Sequence, residues 1–241
     1  MATIVTPPTI TSQSINYPSG DGTPVAETFD HLYVILITIE VLRQYLEDIQ
    51  ACVLGNQFLY YSEGFPRLKC APDVMVIFNV EPGSRDSYKI WEEGEIPRVV
   101  FEITSPGTRD KDEGFKKDLY AQIGIEEYWQ FDPKGQWIEE KLRGYRLVDE
   151  TYAPIATSES QALGLRLEVS GALISFYRLD NGEKLLIPLE LRNKAQHLQD
   201  ELTLEQARLL LEQTRSQELE TQLNQAQAEI DRYRKQFGNL P

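Results

Sequence analysis

The segment from Val99 to Ile103 holds a glutamate, Glu102, inside an apolar run that otherwise predicts a buried β-strand. Burying an unpaired carboxylate costs several kcal/mol, so a glutamate in this position needs a cationic partner or a metal ion. A second acid, Asp73, follows a proline and opens another apolar run, Val74 to Phe78. The sequence therefore predicts a fold in which two acidic side chains belong to two core strands.

The composition limits the partners that such a chain can have. Its 241 residues are 41% apolar, enough for one hydrophobic core with residues left over. The net charge of −14 argues against broad affinity for nucleic acids, because that affinity depends on Lys and Arg neutralising phosphates. A small, metal-bridged nucleic-acid site is not excluded. From Glu190 onward acidic and basic residues nearly balance, so most of the negative charge lies before that residue.

The cysteines and the apolar runs indicate the compartment. Cys52 and Cys70 lack C-x-x-C spacing and a nearby histidine pair, which argues against a zinc site or a disulfide framework and predicts reduced thiols. The N-terminus has no basic region typical of a secretory signal. The longest apolar run, Leu32 to Ile39, is too short to span a bilayer. We therefore expect a cytoplasmic protein without a membrane segment.

The pattern along the chain predicts a mobile N-terminal arm over 1–22 and an α/β domain with a mixed sheet over 23–188. Thr23-Pro24 is typical of a helix start, and apolar residues recur at helical spacing from there to about Asp48. The remaining predicted elements are a helix at Asp110–Ile123 and β segments at Phe58–Tyr61, Val74–Val80, Val99–Thr104, Glu127–Phe131, Trp137–Lys141, Gly144–Val148, Leu163–Val169, Leu173–Leu179 and Lys184–Ile187. The later β segments are expected to extend the same domain as a meander.

Residues 189–241 are rich in Gln, Glu, Leu, Arg and Ala, and they predict one long helix. Its apolar residues follow a seven-residue repeat that Glu205, Glu212 and Ser216 interrupt. This pattern favours pairing with another helix as a coiled coil, which we expect to come from a second copy of the chain as a homodimer. A solvated helix resting on its own domain is the alternative. The repeat comprises Leu198, Leu202, Leu209, Leu219, Leu223, Ala226, Ile230, Tyr233 and Phe237.

Two acids on core strands, with lysines on the following helix, are what a magnesium-dependent phosphodiesterase site requires. Mg²⁺ is held by one or two carboxylates plus waters, and it polarises the phosphodiester and lowers the pKa of the attacking water. A lysine at the same place stabilises developing negative charge. For Glu102 taken alone, a purely structural ion pair with a buried Arg or Lys fits the pattern equally well.

Two stretches, APDVMVIF and VVFEITSPGTRDKDEGFKKDLYAQIGIEEYWQFD, resemble the Uma family of restriction endonuclease-like proteins within the PD-(D/E)XK nuclease superfamily. That family carries P-D-hydrophobic, E-V-x-S-P-S-T, D-x-x-x-K-x-x-x-Y and a G-hydrophobic-x-E-Y-W segment. The resemblance covers roughly Glu27 to Asp132 and leaves the arm and the C-terminal helix outside. It implies a restriction-endonuclease-like α/β fold that hydrolyses DNA phosphodiester bonds with Mg²⁺ or Mn²⁺.

The resemblance also implies a role for individual residues. Asp73 and Glu102 would be the metal-binding acids, and the carbonyl of Ile103 would add a ligand. Some superfamily members place a further acid on the first helix, and the family has a histidine there. Glu27 and His31 are four residues apart on that predicted helix and are therefore candidate catalytic residues.

The position of the catalytic lysine departs from the superfamily pattern, because Thr104 stands two residues after the acid, where a lysine is usual. The family places the lysine on the following helix instead, and Lys116 matches it. Asp112, Lys116 and Tyr120 fall at four-residue intervals on one predicted helical face. Lys117 is the competitor, one residue further on and about 100° around the helix.

These observations lead to one hypothesis and one alternative. The hypothesis is a metal-dependent DNA endonuclease in which Asp73 and Glu102 bind the ion and Lys116 assists the hydrolysis. A dimer would suit double-strand cleavage, because each copy supplies one site for one DNA strand. The alternative is a non-catalytic interaction module that keeps the nuclease fold and recruits a partner through its C-terminal helix. The acidic body favours the alternative, and the Asp-Glu-Lys set favours the enzyme.

Overall fold

The structure, a computed structural model, describes residues 15–22, 28–104 and 114–238. The chain divides into two compact units, with the boundary between Pro188 and Leu189. The first unit contains a mixed α/β arrangement of short helices and three sheets, and the second is one long helix. This architecture confirms the predicted fold class.

The first helix, α1 (Phe29–Tyr45), is capped by Thr28, whose hydroxyl accepts a hydrogen bond from the N–H of His31 at 3.4 Å. A threonine here satisfies one of the N–H groups that a helix start leaves without an intrahelical acceptor. The predicted start at Thr23-Pro24 lies outside the described part of the chain, in which the helix begins at Phe29. One face of α1 is buried, through His31, Val34, Ile35, Thr38, Val41 and Leu42.

Six strands form the main sheet, and in it only β6 and β7 run parallel to each other. A parallel pair requires a crossover connection, and the helix α3 (Lys116–Ile123) lies in that connection. In spatial order the strands are β1 (Ala51–Leu54), β4 (Val74–Phe78), β6 (Val99–Ile103), β7 (Glu127–Phe131), β8 (Leu142–Val148) and β9 (Thr151–Ile155).

The remaining elements of the first unit belong to two small sheets and one short helix. One small sheet has the order β3-β2-β5 and the other the order β10-β11-β12. Their bounds are β2 (Leu59–Tyr60), β3 (Lys69–Cys70), β5 (Tyr88–Lys89), α2 (Ile90–Glu93), β10 (Glu159–Ser160), β11 (Leu165–Ser170) and β12 (Leu173–Arg178).

The main sheet is apolar on both faces, because two separate core clusters pack against it. Side chains alternate along each strand, so neighbours in β6 enter different clusters. Phe101 packs in the cluster that contains the buried face of α1, and Val100 packs in the cluster that contains Tyr120 of α3. Glu102 therefore lies on the α3 side of the sheet, where Tyr120 contacts it.

Several predicted β segments differ from the structure. The predicted strand at Trp137–Lys141 is wrong, because the carboxylate of Asp132 accepts the N–H groups of Trp137 and Ile138 and folds this segment into a turn. Lys184–Ile187 makes only a single bridge, from Lys184 to Tyr177. The expected continuous meander is also interrupted, because β10, β11 and β12 form their own sheet.

The second unit consists of α4 (Pro188–Phe237), a helix of 50 residues. Its side chains from Leu191 to Gln236 are exposed, including most of the predicted heptad leucines. Among the described residues, no helix is both long and apolar enough to cross a membrane.

Candidate active site

Asp73 immediately precedes β4, and Glu102 lies in β6, the strand next to β4 in the sheet. The antiparallel register between β4 and β6 pairs Val74 with Phe101, so Asp73 and Glu102 are the residues next to this pair in sequence. The Oδ2 atom of Asp73 accepts a hydrogen bond from the backbone N–H of Ile103 at 2.6 Å. Asp73 is 8% exposed, and Glu102 has no exposed surface. The sheet thus brings together the two acids that the sequence singled out.

Glu102 receives two donors from α3, one at each carboxylate oxygen. The Nζ atom of Lys116 lies 2.7 Å from Oε2, and the hydroxyl of Tyr120 lies 2.5 Å from Oε1. Lys116 and Tyr120 are four residues apart, so they share one face of the helix, as predicted. Asp112, the third residue of that predicted face, lies outside the described part of the chain.

Of the two candidate residues predicted on the first helix, the structure describes His31 and not Glu27. His31 is buried, and its Nε2 atom lies 3.6 Å from Oδ1 of Asp73, within ion-pair range but beyond a normal hydrogen bond. Glu27 lies outside the described residues. The structure therefore brings His31 to Asp73 and leaves the predicted role of Glu27 untested.

Lys117, the competitor of Lys116, lies elsewhere on the same side of the sheet. Its Nζ atom lies 3.6 Å from the centre of the Tyr145 ring, a cation–π contact. Burial lowers the pKa of Lys117, and the positive charge of Arg143 lowers it further. Of the two lysines, Lys116 is thus the one that contacts Glu102.

Two polar residues continue the row from Glu102 across the sheet, and sequence reasoning missed both. The parallel register pairs Glu102 with Gln130, and the next register pairs Gln130 with Arg143. The Nε of Arg143 donates to Oε1 of Gln130 at 2.7 Å, and the Gln130 amide donates to the Tyr128 hydroxyl at 2.8 Å. Gln130 interrupts an apolar strand just as Glu102 does, so the same signal could have identified it.

Thr104 occupies the position where the superfamily usually has its lysine. It is buried, and its Oγ1 has no hydrogen-bond partner within the described part of the chain. Thr104 lines a cavity of about 70 Å³ together with His31 and Asp132. Because a threonine carries no charge, the positive charge next to Glu102 comes from Lys116 of α3.

Two further buried carboxylates have partners that explain them structurally. Glu127 has no exposed surface, and it accepts from the guanidinium of Arg146, the indole N–H of Trp129 and the N–H of Gln161. Asp132 accepts backbone N–H groups of the turn that follows it. Buried carboxylates with this many donors are typical of structural roles.

Two acidic protons near Glu102 are held more tightly than usual. Burial raises the pKa of the Cys70 thiol to about 12, and the negative charge of Glu102 contributes in the same direction. Burial and the charge of Glu102 also raise the pKa of Tyr120 well above its ordinary value. Tyr120 therefore remains protonated near neutral pH and can donate to Glu102.

The donors present at this site fit a hard divalent cation. Two carboxylates on adjacent strands, with the backbone of Ile103 between them, supply oxygen atoms, which Mg²⁺ and Mn²⁺ prefer. Within residues 15–22, 28–104 and 114–238, no group of three His, Cys, Asp or Glu side chains could hold a metal ion. A metal at this site would thus depend on two protein carboxylates, completed by water or substrate oxygens.

The first unit is a mixed α/β fold, in which the Ile103 N–H binds Asp73 next to the buried Glu102. Residues 11–174 match the sequence profile of the Uma2 family, described as "Putative restriction endonuclease". Because this match spans more than half of the chain, the chain belongs to the Uma2 family, which confirms the predicted resemblance.

Other comparisons are more distant. A crystal structure from Anabaena variabilis ATCC 29413, described as a putative nuclease belonging to DUF820, is similar with a TM-score of 0.43 and 14% identity. The similarity covers 58% of this chain and 76% of the other. No functionally curated protein matches the chain.

Proposed function

We propose that this protein is a metal-dependent endonuclease that hydrolyses DNA phosphodiester bonds at Asp73, Glu102 and Lys116. The observation that carries the proposal is the contact of Lys116 with Glu102, next to the Ile103 N–H that binds the carboxylate of Asp73. Membership in a family described as restriction endonucleases supports the same chemistry.

Each residue of the site has a task that follows from its contacts. Asp73 and Glu102 supply the carboxylate oxygens that hold Mg²⁺ or Mn²⁺, and the Ile103 N–H orients Asp73. The hydroxyl of Tyr120 orients Glu102. The ammonium of Lys116 stabilises the negative charge that develops on the phosphoryl oxygens. The bound ion supplies Lewis-acid polarisation of the phosphodiester and a more acidic water.

The first test is a calorimetric titration of Mg²⁺ and Mn²⁺ into the purified protein, with Glu102→Gln as the comparison. Binding that is lost in the variant supports the metal site. Because Mg²⁺ often binds together with substrate phosphates, the titration is repeated with a short DNA duplex present.

The second test is a plasmid-cleavage assay. We expect metal-dependent cleavage of plasmid DNA by the wild type and no cleavage by Asp73→Asn or Glu102→Gln. Cleavage that both variants retain would contradict the proposal.

We further propose that α4 forms a parallel two-stranded coiled coil with a second copy, which makes a homodimer. The apolar heptad side chains from Leu198 to Tyr233 are exposed, so a partner helix would remove them from water. In a parallel, in-register pair, Arg215 faces Glu220 of the second copy, and Glu229 faces Arg234 of the second copy. The other charged residues that flank the apolar seam face glutamines of the second copy. The residues that flank the seam therefore form attractive pairs and no repulsive pairs in this register.

Two observations favour the alternative of a non-catalytic module. The net charge of −14 opposes broad binding to a polyanion, and an exposed helix of 50 residues is a large surface for a protein partner. The two functions differ in their dependence on Glu102. The nuclease loses its activity in Glu102→Gln, whereas a module that acts only through α4 keeps its partner binding in that variant.

A further inference from the structure

Two cationic side chains, those of Arg143 in β8 and Lys117 in α3, lie on the same side of the main sheet, beside the candidate active site. Arg143 and Tyr145 are two residues apart in this strand, so their side chains point to the same side of the sheet. Lys117 lies over the ring of Tyr145 from α3. Both cations are partly exposed, so a ligand in solution can reach them.

Within the described part of the structure no carboxylate lies within ion-pair distance of Lys117, whose ammonium rests on the Tyr145 ring. Arg143 is held through its Nε by Gln130, which restricts the plane of the guanidinium. An unpaired ammonium fixed on an aromatic ring, next to an oriented guanidinium, is an arrangement that binds an anion well. Burial lowers the pKa of Lys117 most, the positive charge of Arg143 lowers it further, and the negative charge of Asp118 acts in the opposite direction. An anion bound beside both cations would offset their mutual repulsion.

We propose that Lys117 and Arg143 form a phosphate-binding subsite for the nucleic-acid backbone, separate from the acidic pair. This inference rests on the proposed nuclease function, because it assigns the subsite to the same substrate. The ligand is a backbone phosphate that is not cleaved, so the two residues position the strand and take no part in the chemistry. Neither residue was assigned a role by the family pattern.

The spacing along the sheet suits such a role. Glu102, Gln130 and Arg143 occupy one row across three strands, and neighbouring side chains in such a row are about 5 Å apart at Cβ. The Cβ atom of Arg143 thus lies on the order of 10 Å from the Cβ atom of Glu102. A nucleic-acid strand carries one phosphate per ~3.4 Å of helix axis, so a strand with one phosphate at Glu102 has another within reach of Arg143.

The subsite also reconciles a nucleic-acid substrate with an acidic protein. Lys116 contacts Glu102, and the side chains of Lys117 and Arg143 lie on the same side of the sheet. Local charges within a Debye length, about 8 Å at physiological ionic strength, decide whether a phosphate binds there. A net negative charge spread over the rest of the chain is screened at larger distances.

The test measures binding of a short fluorescein-labelled DNA duplex by anisotropy in EDTA, between about 50 and 200 mM salt, where each phosphate contact contributes about 0.9 to the salt slope. Wild type is compared with Lys117→Gln, Lys117→Arg, Arg143→Gln and, as the matched control, Lys89→Gln. Lys89→Gln removes one positive charge, as Lys117→Gln does. Lys89 pairs with Glu92 and belongs to a different sheet, so it lies outside the proposed subsite.

We expect Lys117→Gln and Arg143→Gln each to weaken binding about tenfold and to reduce the slope by about one contact. Lys117→Arg should restore both quantities, since arginine keeps the charge and the ring contact, and Lys89→Gln should match wild type. Thermal unfolding of each variant confirms that it is folded. Lys117→Gln is the decisive variant, because Arg143→Gln also removes the contact to Gln130.

Three results would overturn the subsite: a wild-type slope in Lys117→Gln, an equal loss in Lys89→Gln, or no duplex binding by the wild type. Failure of the subsite is distinguishable from failure of the nuclease proposal, because binding is measured without metal and cleavage is measured with it. Cleavage that depends on Glu102 while Lys117→Gln binds normally removes the subsite and leaves the nuclease proposal in place.

Discussion

The ammonium of Lys116 lies 2.7 Å from a carboxylate oxygen of Glu102, and Glu102 has no surface exposed to solvent. An ion pair of this kind can serve catalysis or can merely satisfy a buried charge. The two possibilities predict different responses to the loss of the charge on Glu102, and stability measured together with activity separates them.

The first prediction concerns Glu102→Gln. We expect cleavage to be abolished and the thermal midpoint to stay unchanged or rise, because the amide still accepts from Tyr120 while the cost of burying a charge disappears. Asp73→Asn should likewise lose cleavage with little loss of stability, because the amide oxygen still accepts from the Ile103 N–H. The measurements are a plasmid-cleavage assay and thermal unfolding by circular dichroism.

Glu127→Gln is the matched control, since Glu127 is equally buried but has structural partners. It should lower the free energy of unfolding by about 3 kcal/mol, because Arg146 and two further donors lose a charged acceptor. If Glu102→Gln were destabilised as strongly as Glu127→Gln, the pair with Lys116 would be structural.

The second prediction separates the two lysines. Lys116→Gln should lower kcat by about 10²-fold or more with little change in KM, because its ammonium acts on charge that develops during the reaction. Lys117→Gln should instead raise KM and leave kcat nearly unchanged. Steady-state kinetics on one labelled duplex provides both values. A larger kcat effect in Lys117→Gln would reassign the catalytic lysine.

The third prediction concerns Tyr120→Phe. Removing the hydroxyl takes one of the donors from a fully buried carboxylate, which should lower the free energy of unfolding by about 1–2 kcal/mol. Cleavage should fall without being abolished, since Asp73, Glu102 and Lys116 remain. Chemical denaturation and the cleavage assay test this prediction, and unchanged values for both would show that the hydroxyl does not hold Glu102.

The sequence was sufficient to predict the central elements of the site. Glu127–Phe131 was predicted as a strand with the bounds that the structure has, and Lys116 and Tyr120 were placed on one helical face. These predictions succeeded because they depend on local patterns: a charged residue in an apolar run, and a four-residue interval on a helix. The catalytic and metal-binding roles of these residues remain predictions.

Features that depend on pairing between distant segments were missed. Gln130 and Arg143 join the row of Glu102 only through strand register, which a single sequence does not reveal. The edge strands β1 and β9 were also missed, and Pro154 inside β9 argues against a strand unless it lies at an edge. The turn around Asp132 replaced a predicted strand because side-chain acceptors outcompeted sheet pairing.

The fourth prediction concerns alkaline pH. The pKa of Cys70 is raised from 9.0 to about 12 in the folded protein, so the folded state retains a proton that the unfolded state releases. Stability from this thiol is complete below pH 9.0 and is lost as the pH rises from 9.0 towards 12, by at most about 1.4 kcal/mol per pH unit. Denaturation at a series of pH values should show a smaller decline in Cys70→Ala than in wild type. An equal decline would assign the effect to other groups, such as Cys52, whose pKa burial also raises.

The last prediction tests the parallel coiled coil of α4. Ser216 occupies a central seam position, and in a parallel, in-register dimer it faces Ser216 of the second copy. Ser216→Cys should therefore form a disulfide between two copies under mild oxidation, visible on a non-reducing gel. The wild type, with Cys52 buried and Cys70 carrying a raised pKa, should not crosslink and serves as the control.

The two seam glutamates provide an independent check of the same arrangement. Glu205 and Glu212 face their own copies in a parallel dimer, so replacing both with leucine should remove like-charge repulsion and tighten the dimer at least about tenfold. Sedimentation equilibrium measures the dissociation constant. Exchanging Arg215 and Glu220 preserves their attraction across the dimer, whereas Arg215→Glu alone places two acids opposite each other and should weaken it. A full-length chain that stays monomeric at all concentrations, or a Ser216→Cys variant of a stable dimer that never crosslinks, would contradict the parallel pairing.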